Sequence, residues 1–399
     1  MRSCPDSQVT LLNGIEGRRK ALEDAGRSGM SSVFPLPRLA FGFGIRRVLP
    51  EELGLLGVKR PLLLSDAGLE RVGLVDDVAR HLPEATIRWT KVHENPTIAG
   101  ADAAYAVYVS AGCDGVIALG GGSVIDTAKF VAALASKSAQ SAAELLGRPD
   151  RIGAGVAPLI AIPTTVGTGS ESSPVSALHS SSDSIALGTR SPLLVPRLAV
   201  CDPDLARSLP SRLIAATGMD ALSHCLEGFF AEPANPLVDA LALDGLSRVF
   251  KSIRGAMEPG GDDHRASLMA AAFAGGAAIH KGLGPAHAVA LAFGDQELHH
   301  GTLIAITLPL TARLMAIHAP EKAARAAAAL GLQQPGDLAG ALHDLNQALG
   351  LPSTYRAAGY RPRPILALVE DMLRSHFNRT SPYAPSQADY TAIAETLLT

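Results

Sequence analysis

Asp220 and His224 stand four residues apart in a helical pattern, AATGMDALSHCLEG, a spacing that puts both side chains on one helix face within reach of a common ion. His287 and His300 follow in an otherwise apolar stretch, GLGPAHAVALAFGDQELHHG. Three imidazoles and one carboxylate suit Fe(II) or Zn(II) better than Mg or Ca, which prefer oxygen-rich shells. Taken singly, each histidine reads as a hydrogen-bonded core or surface residue. Four donors in one helical region, beside a nucleotide-binding one, argue for a metal.

The nucleotide signal comes earlier in the chain. Gly120-Gly121-Gly122-Ser123 lies between a predicted strand and a predicted helix. Glycines let backbone approach a ligand, and a helix N-terminus offers free N–H groups to phosphate. Ser123 and Asp126 have a plainer reading as an S-x-x-D capping box. Thr164 and Thr165, then Thr168 and Ser170 in a GTGS run, follow another strand, where ligands bind in open α/β sheets. Asp66 closes the strand Pro61–Ser65. Its carboxylate suits a ribose hydroxyl and repels a 2′-phosphate, favouring NAD over NADP, and its plainer role is a helix N-cap.

These residues need a scaffold, and hydrophobic patterning predicts one. Strands are expected at Pro61–Ser65, Glu84–Thr90, Gly115–Leu119, Pro158–Pro163 and Leu198–Cys201. Helices are expected at Gly68–Leu82, Thr97–Ser110 and Ser123–Ala135. That alternation argues for a parallel sheet covered on both faces. From about Ser211 to Leu398 the pattern is helical only. The expected division is an N-terminal extension over 1–32, an α/β dinucleotide-binding domain over 33–205, and an all-α metal-binding domain over 206–399. The polar extension, with Arg18, Arg19 and Lys20, lacks the apolar core of a signal peptide and leaves Met1 and Met30 as alternative starts.

With 47% hydrophobic and 18% charged residues, the 399-residue chain can bury large cores. A net charge of −3 gives no reason to expect nucleic acid or an anionic membrane as partner. No apolar run is read as long enough to span a bilayer. Cys4, Cys113, Cys201 and Cys225 are scattered without CxxC spacing, as in a cytoplasmic protein with reduced thiols.

The motifs together resemble those of the iron-containing (group III) alcohol dehydrogenases. The matching stretches are GGGSVIDTAK (120–129), IPTTVGTGSE (162–171), Asp202-Pro203, and the segments 215–228 and 282–309. The likeness runs from about Leu36 to the C-terminus. It implies a dehydroquinate synthase-like architecture with NAD bound at the GGGS loop, the threonines and the GTGSE run. It implies metal ligation by Asp220, His224, His287 and His300, the last chosen over His299 because it precedes Gly301. The implied reaction is hydride transfer between an alcohol and the nicotinamide, in a homodimer or larger assembly.

Two positions depart from the family pattern. Leu291 stands where many members carry a histidine that relays the alcohol proton, leaving His280 as a substitute. No lysine occurs between Lys137 and Lys251, leaving Arg190 as the nearby cation. The segments around His280–Gly284 and His299–Leu303 look like the branch that includes 4-hydroxybutyrate dehydrogenases. On that resemblance the expected substrate is a short primary alcohol or an ω-hydroxy acid such as 4-hydroxybutyrate; Lys281 is either the partner of its carboxylate or a solvated loop or helix-end lysine. Glycerol dehydrogenases, maleylacetate reductases and dehydroquinate-synthase-type lyases share the fold and are the rival readings, with a non-enzymatic binding protein behind them.

Overall fold

The computed structural model describes residues 34–181, 184–232, 234–296 and 298–399; the extension expected over 1–32 lies outside them. The first half is built on a six-stranded sheet: β1 (Arg38–Phe41), β2 (Pro61–Leu64), β3 (Ile87–Trp89), β4 (Gly115–Gly120), β5 (Leu159–Pro163) and, last in the chain, β8 (Leu198–Cys201). Their spatial order is β1-β8-β5-β4-β2-β3, and every pairing is parallel. The four central strands are buried end to end, as a sheet covered on both faces requires. An antiparallel hairpin, β6 (Val175–Leu178) with β7 (Leu187–Arg190), stands beside it.

Helices α1 (Leu49–Leu56), α2 (Ala67–Arg71), α3 (Leu74–Ala79), α4 (Ile98–Ser110), α5 (Gly122–Leu134) and α6 (Ala142–Leu145) cover the sheet. Chain order turns around between β2 and β4. Ligands bind at such a switch point, outside the carboxyl ends of the strands. Asp66 lies two residues past the end of β2, and Gly121 directly follows β4.

Several expected elements differ in detail. The helix expected over Gly68–Leu82 is two short ones, parted at Gly73, whose φ of 79° is left-handed. The strand expected over Glu84–Thr90 is shorter, and β1, β6 and β7 are additional. Asp202, fully buried, closes β8 by accepting from Gly44 N at 2.9 Å and pairing with Arg46 at 2.7 Å. The Asp-Pro step therefore ties two neighbouring strands together.

From Ser211 onward the described residues are helical. The helices are α7 (Ser211–Phe230), α8 (Pro236–Met257), α9 (Asp262–Ala278), α10 (Pro285–Ala292), α11 (His300–His318), α12 (Pro320–Leu330), α13 (Asp337–Ala348), α14 (Ile365–Arg374) and α15 (Gln387–Leu398). Helix α7 is buried almost throughout and packs against α8, α9 and α11. Among the described residues, α11 alone is long and apolar enough to cross a membrane, contrary to the sequence reading. Its most apolar window is 61% buried within the protein, so it serves as a core helix.

Pro309 sits inside α11 and cannot donate to the carbonyl four residues back. Asn346 on α13 supplies the missing donor, its Nδ2 lying 2.5 Å from Ala305 O in a buried setting. Replacing Asn346 by Ala leaves that carbonyl unpaired, at a cost of about 1–3 kcal/mol. Urea unfolding of Asn346→Ala should show a loss of that size; an unchanged midpoint would mean that the bond carries no stability.

Candidate active site

Asp220, His224 and Glu227 recur on α7 at helical spacing and face inward, each about 5% exposed. Helices α10 and α11 bring His287 and His300 to the same face. The ligand atoms of Asp220, His287 and His300 all lie within 4.8 Å of one another. His224 adjoins them, with Nε2 3.6 Å from Asp220 Oδ1 and its ring 5.0 Å from that of His287. His300 Nε2 is 3.8 Å from the same oxygen, on a side chain half exposed at the mouth of the site. The close approach of α11 depends on Gly301. A Cβ there would lie 2.4 Å from Ala216 O, and any side chain would push His300 away from Asp220.

Glu227, which the sequence reading passed over, holds the site in shape. Its Oε2 accepts a hydrogen bond from His287 Nδ1 at 2.6 Å, and its Oε1 accepts from Ala286 N at 2.6 Å, at the start of α10. The carboxylate is stabilised by that helix N-terminus and fixes the imidazole tautomer, so His287 presents a lone pair on Nε2. A third polar residue at i+7 from Asp220 on so apolar a helix was the available signal.

The donor set fits a divalent metal ion. Asp220 Oδ1 and His287 Nε2 are buried without a hydrogen-bond partner, which is unfavourable unless a cation completes them. Burial first, and then the neighbouring His287, push His224 down to about 3, so at neutral pH it is the unprotonated imidazole that a metal requires. Burial raises Asp220, a cost that a bound cation reverses.

The dinucleotide candidates divide into two groups. The GGGS loop and the loop after β5 converge: a Cβ on Gly121 would lie 2.9 Å from Thr165 Cγ2, and Gly122 faces Thr168. No side chain caps α5, and Thr165 Oγ1 is buried without a partner. An uncapped helix N-terminus beside an orphaned hydroxyl fits a phosphate-bearing ligand. Gly120 and Thr164 are joined by a main-chain bond of 3.1 Å across these strand ends.

The side chains of Ser123, Asp126 and Ser170 are engaged with protein instead. Ser123 Oγ bonds Glu94 O, and Ser170 Oγ donates to Asp126 Oδ1 at 3.0 Å. Asp126 Oδ2 also accepts from Ala177 N at 2.9 Å. The expected Ser123–Asp126 capping box is therefore absent, because the N-cap is Gly121, two residues before Ser123. Asp66 Oδ1 caps α2 through Gly68 N and Leu69 N, at 2.8 and 2.9 Å.

The loop after β5 meets the helical half backbone to backbone. A Cβ on Gly167 would sit 1.9 Å from Thr217 O on α7, so only glycine fits there. Ser172 Oγ donates to Phe273 O at 2.7 Å across the same junction. These contacts set the dinucleotide loops beside the helix that carries Asp220 and His224.

The comparisons with known proteins agree with this geometry. Residues 37–203 match the family model "Iron-containing alcohol dehydrogenase", and residues 214–398 match "Fe-containing alcohol dehydrogenase family, C-terminal". The chain belongs to the iron-containing alcohol dehydrogenase family. It is 38% identical to a 4-hydroxybutyrate dehydrogenase of Cupriavidus necator, covering 92% of this chain and 99% of that one. It is 28% identical to a NAD-dependent methanol dehydrogenase of Bacillus methanolicus, over 92% of this chain and 100% of the relative.

A solved structure of a sulfoacetaldehyde reductase from Bifidobacterium kashiwanohense in complex with NAD+ superposes with a TM-score of 0.86 at 25% identity. It covers 93% of this chain and 100% of that one. The chain is thus a NAD-dependent alcohol dehydrogenase of the iron-containing type, an α/β dinucleotide-binding half joined to an all-α half. The lyase and non-enzymatic readings fall with that result.

Two residues expected to act in catalysis are occupied elsewhere. Lys281 is buried, its ammonium paired with Asp239 and bonded to Phe229 O at 3.1 Å, so it is not free to meet a substrate carboxylate. His280 bonds Ser172 O through Nε2 at 3.1 Å, and burial lowers it to about 4. It serves as a neutral link between the two halves of this dehydrogenase.

Replacing Glu227 by Gln removes the charge that orients His287 and should weaken metal binding about 10–100-fold. Titration of the metal-free variant with Fe(II) or Zn(II), with circular dichroism as the folding control, measures this. Wild-type affinity in a folded variant would rule out the orienting role.

Proposed function

We propose that this dehydrogenase interconverts a short ω-hydroxy acid, such as 4-hydroxybutyrate, and its aldehyde, with Fe(II) as metal and Zn(II) as the alternative. The observation that carries the reading is the convergence of Asp220, His287 and His300, with Glu227 orienting His287. The choice of substrate is supported by the 38% identity to 4-hydroxybutyrate dehydrogenase.

Asp220, His224, His287 and His300 would hold the metal. The uncapped start of α5 at Gly121–Ser123, with Thr165 and Thr168, would hold the dinucleotide. When bound, the metal would supply a Lewis acid to the substrate oxygen, and the nicotinamide would exchange the hydride with the carbon that bears it. The chain's own residues orient and exclude water. The Gly167–Thr217 and Ser172–Phe273 contacts fix the distance between dinucleotide loops and metal ligands, and the surrounding apolar helices keep the ligand face dry.

The protein is proposed to act in the cytoplasm as a homodimer. Cys113, Cys201 and Cys225 are free thiols. The edge strand β1 exposes Leu39 and Phe41, with Phe43 just beyond, an apolar row that a second copy can cover.

Two measurements test the reading. The stripped protein, reloaded with Fe(II) or Zn(II), should oxidise NADH with succinic semialdehyde faster than with butanal, and a chelator should abolish the rate. Absence of turnover with either metal, using NADH or NADPH, would sink it. Thr165→Val deletes the orphaned hydroxyl and should raise the KM for NADH roughly tenfold, the worth of one hydrogen bond to a charged group. An unchanged KM would remove Thr165 from the cofactor site.

A further inference from the structure

The turn at His376–Arg379 packs directly against the metal centre, with the Phe377 ring 5.5 Å from that of His287. Its neighbours hold it firmly. Asn378 donates to Met372 O at 2.8 Å and accepts from Tyr390 OH at 2.5 Å. Thr380 donates to Leu283 O at 2.9 Å, and its own carbonyl accepts from Glu232 N at 2.8 Å. Between those anchors Arg379 is exposed, and among the described residues it pairs with no carboxylate.

Arg190 reaches the same place from the other half of the molecule. It ends β7, and its guanidinium donates to the carbonyl of His280, leaving most of its donors unused. It too has no carboxylate partner among the described residues. The segment from His280 to Leu283 joins the two cations: Arg190 bonds the His280 carbonyl, and Thr380, next to Arg379, packs against Gly282 and donates to Leu283 O. Arg190 is exposed at the end of its strand. A guanidinium with no carboxylate partner of its own favours an anion from outside.

We propose that Arg190 and Arg379 together bind the carboxylate end of the substrate, holding its hydroxyl or aldehyde end toward Asp220, His287 and His300. The assignment rests on the ω-hydroxy acid reading and supplies the cation that Lys281, committed to Asp239, does not. Planar guanidinium groups match a carboxylate through paired N–H donors.

The test compares wild type, Arg190→Gln, Arg379→Gln and Arg190→Lys, all metal-loaded, on succinic semialdehyde and butanal. Each Gln variant should lower the ratio of kcat/KM for the acid-bearing aldehyde over butanal by about tenfold or more, chiefly through KM. Arg190→Lys should recover part of it. As a readout independent of turnover, calorimetry with succinate on the metal-free protein plus NAD should show binding that both Gln variants lose.

A wild type that prefers succinic semialdehyde, with variants that keep both the preference and succinate binding, overturns this assignment and leaves the proposed function standing. A wild type with no such preference overturns the proposed function. In that case, an absence of succinate binding overturns the carboxylate site as well. Equal losses on both aldehydes with succinate binding intact would make the arginines supports of the fold or of the dinucleotide, and that also overturns the proposal.

Discussion

The hydrogen bond between Glu227 and His287 lies at the centre of a problem that this fold has to solve. Helix α7 carries two carboxylates and an imidazole on its most buried face. Charges in such a place are strongly unfavourable unless they are paired. Glu227 is compensated by the protein itself, through His287 and the amides that open α10. Asp220 is compensated only in part, by imidazoles at 3.6 and 3.8 Å, the nearer of which, His224, burial keeps from holding a proton. One carboxylate is thus satisfied from within and the other is left for a cation. On the proposed metal reading, the arrangement divides the two acids into a structural role and a ligand role on the same helix.

That division would be useless if the metal face were not aligned with the dinucleotide loops. Alignment comes from backbone touching backbone rather than from side-chain packing. Gly167 against Thr217 and Gly301 against Ala216 permit approaches that no Cβ would allow. The contacts have little room to adjust, so they transmit position well. The family's GTGSE and HG signatures then have a mechanical reading beside any role in ligand binding. Their glycines bring two ligand-bearing surfaces to a set separation.

Asp220 and His224 were legible in the sequence because a single helix's period relates them, and the GGGS loop because its strand and helix are adjacent. Lys281 was misread because its partner, Asp239, lies on another helix, and no local pattern reports which carboxylate a lysine will meet. Asp126 and Ser170 were given to the cofactor for the same reason: each is the other's partner across 44 residues. The short strands β1, β6 and β7 lack the apolar run or the alternation that marks a strand, and they form by pairing with segments far away or across a serine-rich loop. The helix expected over Gly68–Leu82 hid a left-handed glycine inside an otherwise unbroken apolar period.

The two ends of the site differ in how they are built, and that bears on which end can vary. Every metal-side residue sits on a core helix, and altering one disturbs a close backbone contact or an orphaned charge. Arg190 and Arg379 project from a hairpin and a turn whose backbones are fixed by other residues, Asn378 and Thr380 among them. Their side chains lie outside the packed core, and that of Arg190 bonds only the carbonyl of His280 among the described residues. Relatives of this chain carry names as different as methanol dehydrogenase and 1,3-propanediol dehydrogenase. A rigid reactive end joined to a replaceable recognition end is a physical basis for that range. On the proposed arginine site, commitment of Lys281 to Asp239 need not mean loss of acid recognition, since the charge would be supplied from the periphery at little cost to the core.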